Sequence, residues 1–153
     1  MTGPAYSNND LPPVVRTILV VEDEVLIRLH LAEELRRSGY HVHEASSADE
    51  AMRLLRTVAD IDLLITDIQM PGSMDGLALA DWTSQMRPAM KIMIASANRV
   101  SGNRTYFHAV VTKPFEMSLL LQTVRELLAS AEPKTGRHPR GDFPMCSREA
   151  PDD

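Results

Sequence analysis

Cysteine is nearly absent from this chain of 153 residues, and long apolar runs are absent altogether. The single cysteine, Cys146, leaves no disulfide framework, so nothing in the sequence indicates an oxidising compartment. Its longest apolar runs, such as Thr17–Val21 and Leu63–Ile65, fall far short of the roughly 20 residues that span a bilayer. The first residues lack the basic and apolar regions of a secretory signal. We therefore expect a cytoplasmic protein that is not held in a membrane.

Positive charge is also scarce. The chain has 16 Lys and Arg against 21 Asp and Glu, which gives a formal net charge of −5. A surface of this sign is repelled by phosphate backbones and by anionic lipids, so neither a nucleic acid nor a membrane is expected as a partner. The glycine-rich motifs that bind nucleotide phosphates in P-loop and dinucleotide-binding proteins do not occur either.

Proline is scarce in the middle of the chain and concentrated at its two ends. Seven of the ten prolines lie in residues 1–15 and 132–153, and the 116 residues between them contain three. A segment of this length can bury one hydrophobic core but not two. We expect one domain over residues 16–131, with a disordered tail on each side.

This central segment alternates two hydrophobic periods. Short apolar runs rich in β-branched residues are typical of buried strands, and apolar residues three or four apart are typical of helices. The predicted strands are 17–21, 40–45, 61–66, 91–95 and 109–112, and the predicted helices are 24–38, 47–58, 77–86 and 116–131. Residues 97–108 show no clear period, so we expect the helix between the last two strands to be shortened or irregular. The alternation predicts an α/β fold with a doubly wound parallel sheet.

Polar and charged residues stand at the ends of the predicted strands. In a parallel sheet of this kind, ligands bind beyond the carboxyl ends of the strands, so these residues should meet at one edge. They are Glu22, Asp23 and Glu24 after the first strand, Asp67 after the third, Ser96 after the fourth, and Lys113 with Pro114 after the fifth. Acids after a strand also favour the N-terminus of a following helix, and for Glu24 we prefer that interpretation.

The chemistry of this set points to phosphoryl transfer. Two carboxylates about 4 Å apart repel each other by about 4 kcal/mol at an effective dielectric of 20, and a hard divalent cation relieves that repulsion. A few carboxylates completed by water suit Mg²⁺ better than Ca²⁺. A lysine and a hydroxyl beside the cation can neutralise and orient a phosphoryl group, and an aspartate can be the nucleophile.

The motifs at these positions resemble the receiver domain of response regulators in two-component systems, the CheY-like family. The resemblance covers residues 16–131 and rests on Val20–Glu24, Leu63–Asp67, Met70-Pro71, Met74–Gly76, Ser96-Ala97 and Lys113–Phe115. It implies a flavodoxin-like (βα)5 fold and a phosphoacceptor served by a sensor histidine kinase or a phosphotransfer protein. We expect no output domain after residue 131, so a stand-alone regulator would bind an unknown downstream protein or pass the phosphoryl group on. A monomer or weak dimer is expected.

The resemblance assigns the phosphoacceptor and the metal ligands. Asp67 would accept the phosphoryl group. Asp23, Asp67 and the backbone carbonyl of Gln69 would bind Mg²⁺ or Mn²⁺ directly, while Glu22 would act through water. The protein would not be an enzyme in the ordinary sense, because it would catalyse only its own phosphorylation and dephosphorylation.

The resemblance also gives roles to the later strand ends. Lys113 would pair with the acyl phosphate, and the Lys113–Pro114 peptide bond would be cis. Ser96 would bind the phosphoryl group and move as the switch. Apart from the resemblance, Gln69 and Asn98 lie two residues past Asp67 and Ser96, where they could orient or exclude the hydrolytic water, so we expect them to tune the dephosphorylation rate.

Three features depart from the usual receiver pattern. Ser73 is an extra residue in the loop after the third strand, and the segment 97–108 is short. Val110 stands where many receivers carry an aromatic switch residue, although Tyr106 and Phe107 lie nearby. These departures leave the phosphorylation chemistry intact and put the usual readout in question.

Two other functions remain open from the sequence. A degenerate receiver would bind partners without being phosphorylated. A phosphatase of the haloacid-dehalogenase type would also form an aspartyl-phosphate, but it needs a second aspartate two residues after the nucleophile, where this chain has Gln69.

Overall fold

The computed structural model describes residues 13–100 and 105–131, so residues 1–12 and 132–153 of the predicted tails lie outside the described residues. The strands are β1 (Thr17–Val21), β2 (His41–Ala45), β3 (Leu63–Asp67), β4 (Lys91–Ser96) and β5 (Ala109–Thr112). The helices are α1 (Val25–Arg37), α2 (Ala48–Thr57), α3 (Gly76–Met86) and α4 (Met117–Ala129). Over the described ranges, no helix has the length and apolar character needed to cross a membrane.

The five strands form one parallel sheet in the order β2-β1-β3-β4-β5. The three central strands are buried almost throughout, as their continuous apolar runs predict. The chain first moves from β1 to β2 on one side and then crosses to β3 on the other. This reversal opens a crevice at the carboxyl ends of β1 and β3, the place where doubly wound sheets bind ligands. The predicted fold class is confirmed.

Two apolar cores lie on opposite faces of the sheet. Alternate side chains of each central strand point to opposite faces, so Ile18 and Val20 enter one core while Leu19 and Val21 enter the other. The first core is closed by α1 and α4, through Leu31, Leu35, Leu120, Val124 and Leu128. The second is closed by α2 and α3, through Ala48, Ala51, Leu55, Leu79 and Ala80.

The connection from β4 to β5 contains no helix in its described parts, residues 97–100 and 105–108. Val100, Tyr106 and Phe107 pack against the core under α2 and α3. The rings of Tyr106 and Phe107 meet edge to face, with centroids 5.6 Å apart and planes at 84°. These side chains cover part of the apolar surface of that core. Residues 101–104 of the helix predicted as shortened or irregular lie outside the described residues.

The helix starts follow the local sequence only in part. Asp75 precedes α3 and its Oδ1 accepts the Ala78 N–H at 2.8 Å. Ser47 caps α2 by accepting the Glu50 N–H at 3.2 Å. Glu24 occupies the position before α1, but its side chain makes no capping hydrogen bond. The preferred interpretation of Glu24, as an acid that stabilises the N-terminus of this helix, is therefore not supported by a hydrogen bond.

Candidate functional site

The site lies at the carboxyl edge of the sheet, where the parallel register gathers residues from distant parts of the sequence. Glu22 follows β1, Asp67 ends β3, Ser96 ends β4, and Lys113 follows β5. Val21 is paired with Thr66, Asp67 with Ala95, and Ser96 with Thr112, so neighbouring strands end at nearly the same level. The fold therefore brings the predicted residues to one edge, as the strand order requires.

Three carboxylates form a compact group there. Glu22, Asp23 and Asp67 each offer one oxygen, and these oxygens all lie within 4.8 Å of one another. Glu22 is buried, Asp67 is half-buried and Asp23 is exposed. Carboxylate oxygens reached by solvent on one side suit a small hard cation that keeps part of its water shell. This donor set fits Mg²⁺ or Mn²⁺.

The Lys113 ammonium joins two of these acids. Its Nζ lies 2.5 Å from Glu22 Oε2 and 3.1 Å from Asp67 Oδ2. The side chains of Lys113, Glu22 and Asp67 are only 15%, 5% and 13% exposed, so solvent screens these ion pairs weakly. Three carboxylates and one ammonium leave two negative charges, which one divalent cation would balance.

Burial and neighbouring charge shift two pKa values in the site. Burial raises the pKa of the Glu22 carboxyl, and the hydrogen bond from Lys113 offsets only part of that effect. Burial by itself would lower the pKa of Lys113, but the hydrogen bonds to Glu22 and Asp67 outweigh it and raise that pKa. The two directions are compatible, because Lys113 faces two carboxylates while Glu22 also feels the repulsion of Asp67. Lys113 therefore remains a cation across the physiological range.

Backbone groups hold the acids in place. The Glu22 N–H donates to the Ala45 carbonyl at 3.1 Å, and Glu22 Oε1 accepts the Glu24 N–H at 3.2 Å. Asp67 Oδ1 accepts the Gln69 N–H at 3.3 Å. This last bond places the Gln69 backbone close to the phosphoacceptor candidate, as a carbonyl ligand from Gln69 would require.

Gly76 closes the loop that follows Asp67, and the sequence motifs assign it no role in the site. Its N–H donates to the Ile68 carbonyl at 2.9 Å. A Cβ atom at this position would lie 1.6 Å from the Asp67 carbonyl oxygen and 2.6 Å from the Asp67 carbonyl carbon. Only glycine lets the start of α3 rest directly on the backbone of Asp67. A glycine at the first position of a helix, after a capping aspartate, was the signal available in the sequence.

Ser96, Gln69 and Asn98 line a cavity of about 270 Å³ that also includes Arg99 and Val100. Ser96 is buried, its Oγ accepts the Asn98 N–H at 3.1 Å, and its carbonyl accepts the Lys113 N–H at 2.7 Å. The Lys113–Pro114 peptide bond is cis. The predicted switch residue and both predicted tuning residues thus share one cavity, which Gln69 connects to the Asp67 loop.

The comparison with protein families identifies the domain. The family "Response regulator receiver domain" matches residues 18–125. This chain is a response regulator receiver. Receivers are signalling domains that interact with histidine kinases or phosphotransfer proteins, so the resemblance drawn from the motifs is confirmed.

Similar receivers occur alone and within longer proteins. The response regulator receiver protein CpdR of Brucella abortus is 31% identical over 122 residues, which are 76% of this chain and 100% of CpdR. The sensor kinase CckA of Brucella abortus is 31% identical over 120 residues, which are 73% of this chain but only 12% of CckA. Other curated relatives are longer, and this chain spans between 12% and 61% of the length of such proteins as CckA, PdtaR of Mycobacterium tuberculosis and ResD of Bacillus subtilis.

A solved receiver with a bound cation supports the fold. The response regulator TrrA of Thermotoga maritima, whose crystal structure contains Mg²⁺ and BeF, has a TM-score of 0.68 and 33% sequence identity. The likeness covers 74% of this chain and 99% of TrrA. It agrees with the five-stranded parallel sheet and the order of its elements.

Proposed function

We propose that this protein is a phosphoacceptor switch that takes a phosphoryl group on Asp67 from a histidine kinase or phosphotransfer protein. It then signals by binding another protein or by passing the phosphoryl group on. The observation that carries this proposal is the position of Lys113 Nζ between Glu22 and Asp67, with one oxygen from each of three carboxylates lying within 4.8 Å of the others.

The acids would hold a divalent cation. Asp23 and Asp67 would bind Mg²⁺ or Mn²⁺ directly together with the Gln69 carbonyl, and Glu22 would act through water. When bound, the cation supplies positive charge to the phosphoryl oxygens and relieves the repulsion among the carboxylates. Two observations support this ligand set. Oxygens of Glu22, Asp23 and Asp67 lie within 4.8 Å of one another, and a hydrogen bond brings the Gln69 backbone next to Asp67.

The transfer itself falls to Asp67 and Lys113. A carboxylate oxygen of Asp67 attacks phosphorus, the bond from phosphorus to the donor imidazole breaks, and its electron pair stays on the imidazole nitrogen. Lys113 is already held beside the Asp67 carboxylate and can pair with the phosphoryl oxygens as charge builds on them. Its raised pKa keeps that charge available throughout.

Ser96 would report the phosphoryl group to the rest of the domain. Its hydroxyl lies at the end of β4 and accepts a hydrogen bond from the Asn98 backbone. A hydroxyl that turned to bind a phosphoryl oxygen would release that N–H and change the start of the β4–β5 connection. The output surface would therefore include this connection.

Phosphorylation of Asp67 can be tested directly. The full chain, incubated with Mg²⁺ and acetyl phosphate, should gain the mass of one phosphoryl group, and Asp67→Asn should abolish the gain. Asp81→Asn, which changes an exposed acid on α3, is the matched control and should be labelled like the unsubstituted protein. Absence of labelling in the unsubstituted protein would favour the degenerate binding module, and steady turnover of p-nitrophenyl phosphate would favour the phosphatase.

The lifetime of the phosphorylated state should depend on Gln69 and Asn98. Both line the cavity beside Ser96, where their side chains can orient or exclude the attacking water. Gln69→Ala and Asn98→Ala should change the dephosphorylation rate several-fold while the phosphorylation rate stays within about twofold of the unsubstituted rate. Decay of the label after removal of the phosphodonor measures the first rate. Unchanged decay in both variants would exclude this role.

A further inference from the structure

Arg28 contacts the backbone of the acidic segment, at the peptide bond between Glu22 and Asp23. It is on α1, one turn after the helix begins, and its side chain is only 15% exposed. Its Nη1 donates to the Glu22 carbonyl oxygen at 2.7 Å. No sequence motif assigns Arg28 a role. Its contact with the Glu22 carbonyl depends on the path of the chain between the end of β1 and the start of α1.

The other side of this guanidinium is anchored to the sheet. Arg28 Nε lies 3.6 Å from Glu44 Oε2 on β2, and Glu44 is 22% exposed. Arg36 Nη2 holds the second oxygen of the same carboxylate, Glu44 Oε1, at 2.8 Å. Glu44 is therefore fixed from two sides, and Arg28 reaches the Glu22 carbonyl from a carboxylate that is itself held.

The Glu22 carbonyl matters because it shares a planar peptide unit with the nitrogen of Asp23. The direction of this carbonyl sets the direction in which the chain continues to Asp23. On its other side, Glu22 is tied through its own N–H to the Ala45 carbonyl at 3.1 Å. With both peptide units of Glu22 held, the exposed Asp23 carboxylate keeps its position opposite Asp67.

We propose that Arg28 is a positioning residue for the divalent cation. By holding the Glu22 carbonyl, it fixes the placement of Asp23 relative to Asp67 and thereby sets the affinity for Mg²⁺. It contacts neither the phosphoryl group nor the cation. The inference rests on the proposed function, because it requires the three carboxylates to bind a cation.

The charge of Arg28 and the position of its side chain have opposite effects on the affinity for Mg²⁺. A cation next to an acid group repels Mg²⁺, so removal of the charge alone would tighten binding. Glu44, 3.6 Å from Arg28 and shared with Arg36, offsets part of this charge. Loss of placement is therefore expected to outweigh loss of charge, and the sign of the change in affinity separates the two effects.

The test compares Arg28→Met with Arg36→Met. Both arginines pair with Glu44, but Arg28 also donates a hydrogen bond to the Glu22 carbonyl. Calorimetric titration of the full chain with Mg²⁺, in the absence of any phosphodonor, should give a dissociation constant about tenfold higher for Arg28→Met, the usual effect of removing a support behind a metal site. Arg36→Met should stay within about twofold of the unsubstituted protein. Thermal unfolding without metal verifies that each variant is folded.

Kinetics distinguish positioning from a general loss of structure. The Mg²⁺ concentration that half-saturates labelling by acetyl phosphate should rise about tenfold in Arg28→Met, while the rate at saturating Mg²⁺ stays unchanged. Arg28→Lys keeps the charge but cannot reach both Glu22 and Glu44 through one planar fork, so it should recover only part of the affinity. Arg28→Lys also supplies the measurement if Arg28→Met does not fold.

Several results would overturn the inference: Mg²⁺ affinity in Arg28→Met equal to or higher than in the unsubstituted protein, full recovery by Arg28→Lys, or an equal loss in Arg36→Met. An unsubstituted protein that binds no Mg²⁺ would instead contradict the proposed function. The two failures are therefore distinguishable.

Discussion

The site has two sides that are built differently. The acid side consists of Glu22, Asp23, Asp67 and Lys113, and it is held by ion pairs and backbone hydrogen bonds at the ends of β1 and β3 and after β5. The β4–β5 side consists of residues 96–100 and 105–108, and it is held mainly by apolar packing of Val100 and two aromatic rings. Charges that must meet a phosphoryl group need fixed positions, and the strand ends provide them. A side that only has to respond to that group can be irregular.

The proposed function assigns the phosphorylation chemistry to the acid side and the readout to the β4–β5 side. The position that carries an aromatic switch residue in many receivers is Val110 here, and it is 40% exposed on the edge strand β5. The aromatic pair Tyr106–Phe107 instead packs against the core under α2 and α3. Substitutions on the acid side should therefore disturb folding and phosphorylation together, and those on the β4–β5 side should separate them.

The largest expected effect comes from Gly76→Ala, because Gly76 lies directly against the backbone of Asp67 on the acid side. The new Cβ would lie 1.6 Å from the Asp67 carbonyl oxygen. This oxygen belongs to the backbone of β3, which cannot move away as easily as the end of a side chain. We expect a loss of more than about 3 kcal/mol in the free energy of unfolding, above the usual range for overpacking, together with loss of labelling at Asp67. Urea denaturation and acetyl phosphate labelling measure the two effects.

Gly39→Ala is the matched control for this prediction. Gly39 has φ +93°, but no atom lies within 4 Å of the place that a Cβ would occupy, so the substitution strains the backbone without a collision. It should cost about 1–2 kcal/mol and leave labelling unchanged. Similar losses in both variants would show that the close approach at Gly76 does not matter.

A smaller effect is expected from Phe107→Ala on the β4–β5 side. Phe107 is half-buried against the core under α2 and α3, so the cost should be about 1–3 kcal/mol, below that of a fully buried phenylalanine. Labelling at Asp67 should stay within about twofold, because this ring packs against the apolar core under α2 and α3. Leu119→Ala, at a side chain that is 55% exposed, serves as the control and should change stability by less than about 0.5 kcal/mol. Parallel loss of labelling and stability in Phe107→Ala would erase the distinction between the two sides.

The smallest effect concerns His108, which ties the β4–β5 side to the start of β4. The backbone N–H of His108 donates to the Ile92 carbonyl at 2.8 Å, and the ring Nδ1 of His108 accepts the Ile92 backbone N–H at 3.1 Å. Burial and the nearby Lys91 lower the pKa of His108 below its ordinary value of 6.5. The unfolded chain therefore binds this proton more readily, so the contribution of His108 to stability is complete above about pH 6.5 and is lost as the pH falls below that value.

His108→Asn removes this titration. The melting temperature of the unsubstituted protein should fall more steeply between pH 7 and pH 5 than that of the variant, by a small margin because the ring is partly exposed. Differential scanning calorimetry at a series of pH values measures the slopes. Parallel slopes would mean that the Ile92 contact does not depend on the protonation of His108.

The sequence predicted much of the acid side because strand ends are set by local patterns. The run of β-branched residues at Ala109–Thr112 marks β5 to the residue, and Lys113 necessarily follows it. Connectivity of a parallel sheet then places Lys113 near the acids. The sequence therefore predicts that Lys113 and Glu22, 91 residues apart, lie near each other, but it does not predict the ion pair between them.

Other parts depend on close approaches between segments. The glycine after a capping aspartate marks the start of α3, but no local pattern shows which backbone that glycine rests on. The role of Gly76 comes from the position of the Asp67 carbonyl, and that of Arg28 comes from the path of the chain between β1 and α1. The packing of Phe107 depends on the absence of a helix from the described parts of the β4–β5 connection. Such features become visible only when the backbone of one segment is placed against the backbone of another.

The contact between Gly76 and Asp67 also bears on how this domain can change over evolution. Because the Gly76 N–H bonds the Ile68 carbonyl and α3 rests on the Asp67 backbone, the loop between them is closed at its base like a ring. A residue added or removed at the tip, such as Ser73, changes the circumference of that ring and leaves both the strand and the helix where they are. The tip of the loop can therefore differ in length while Asp67 and the start of α3 keep their places.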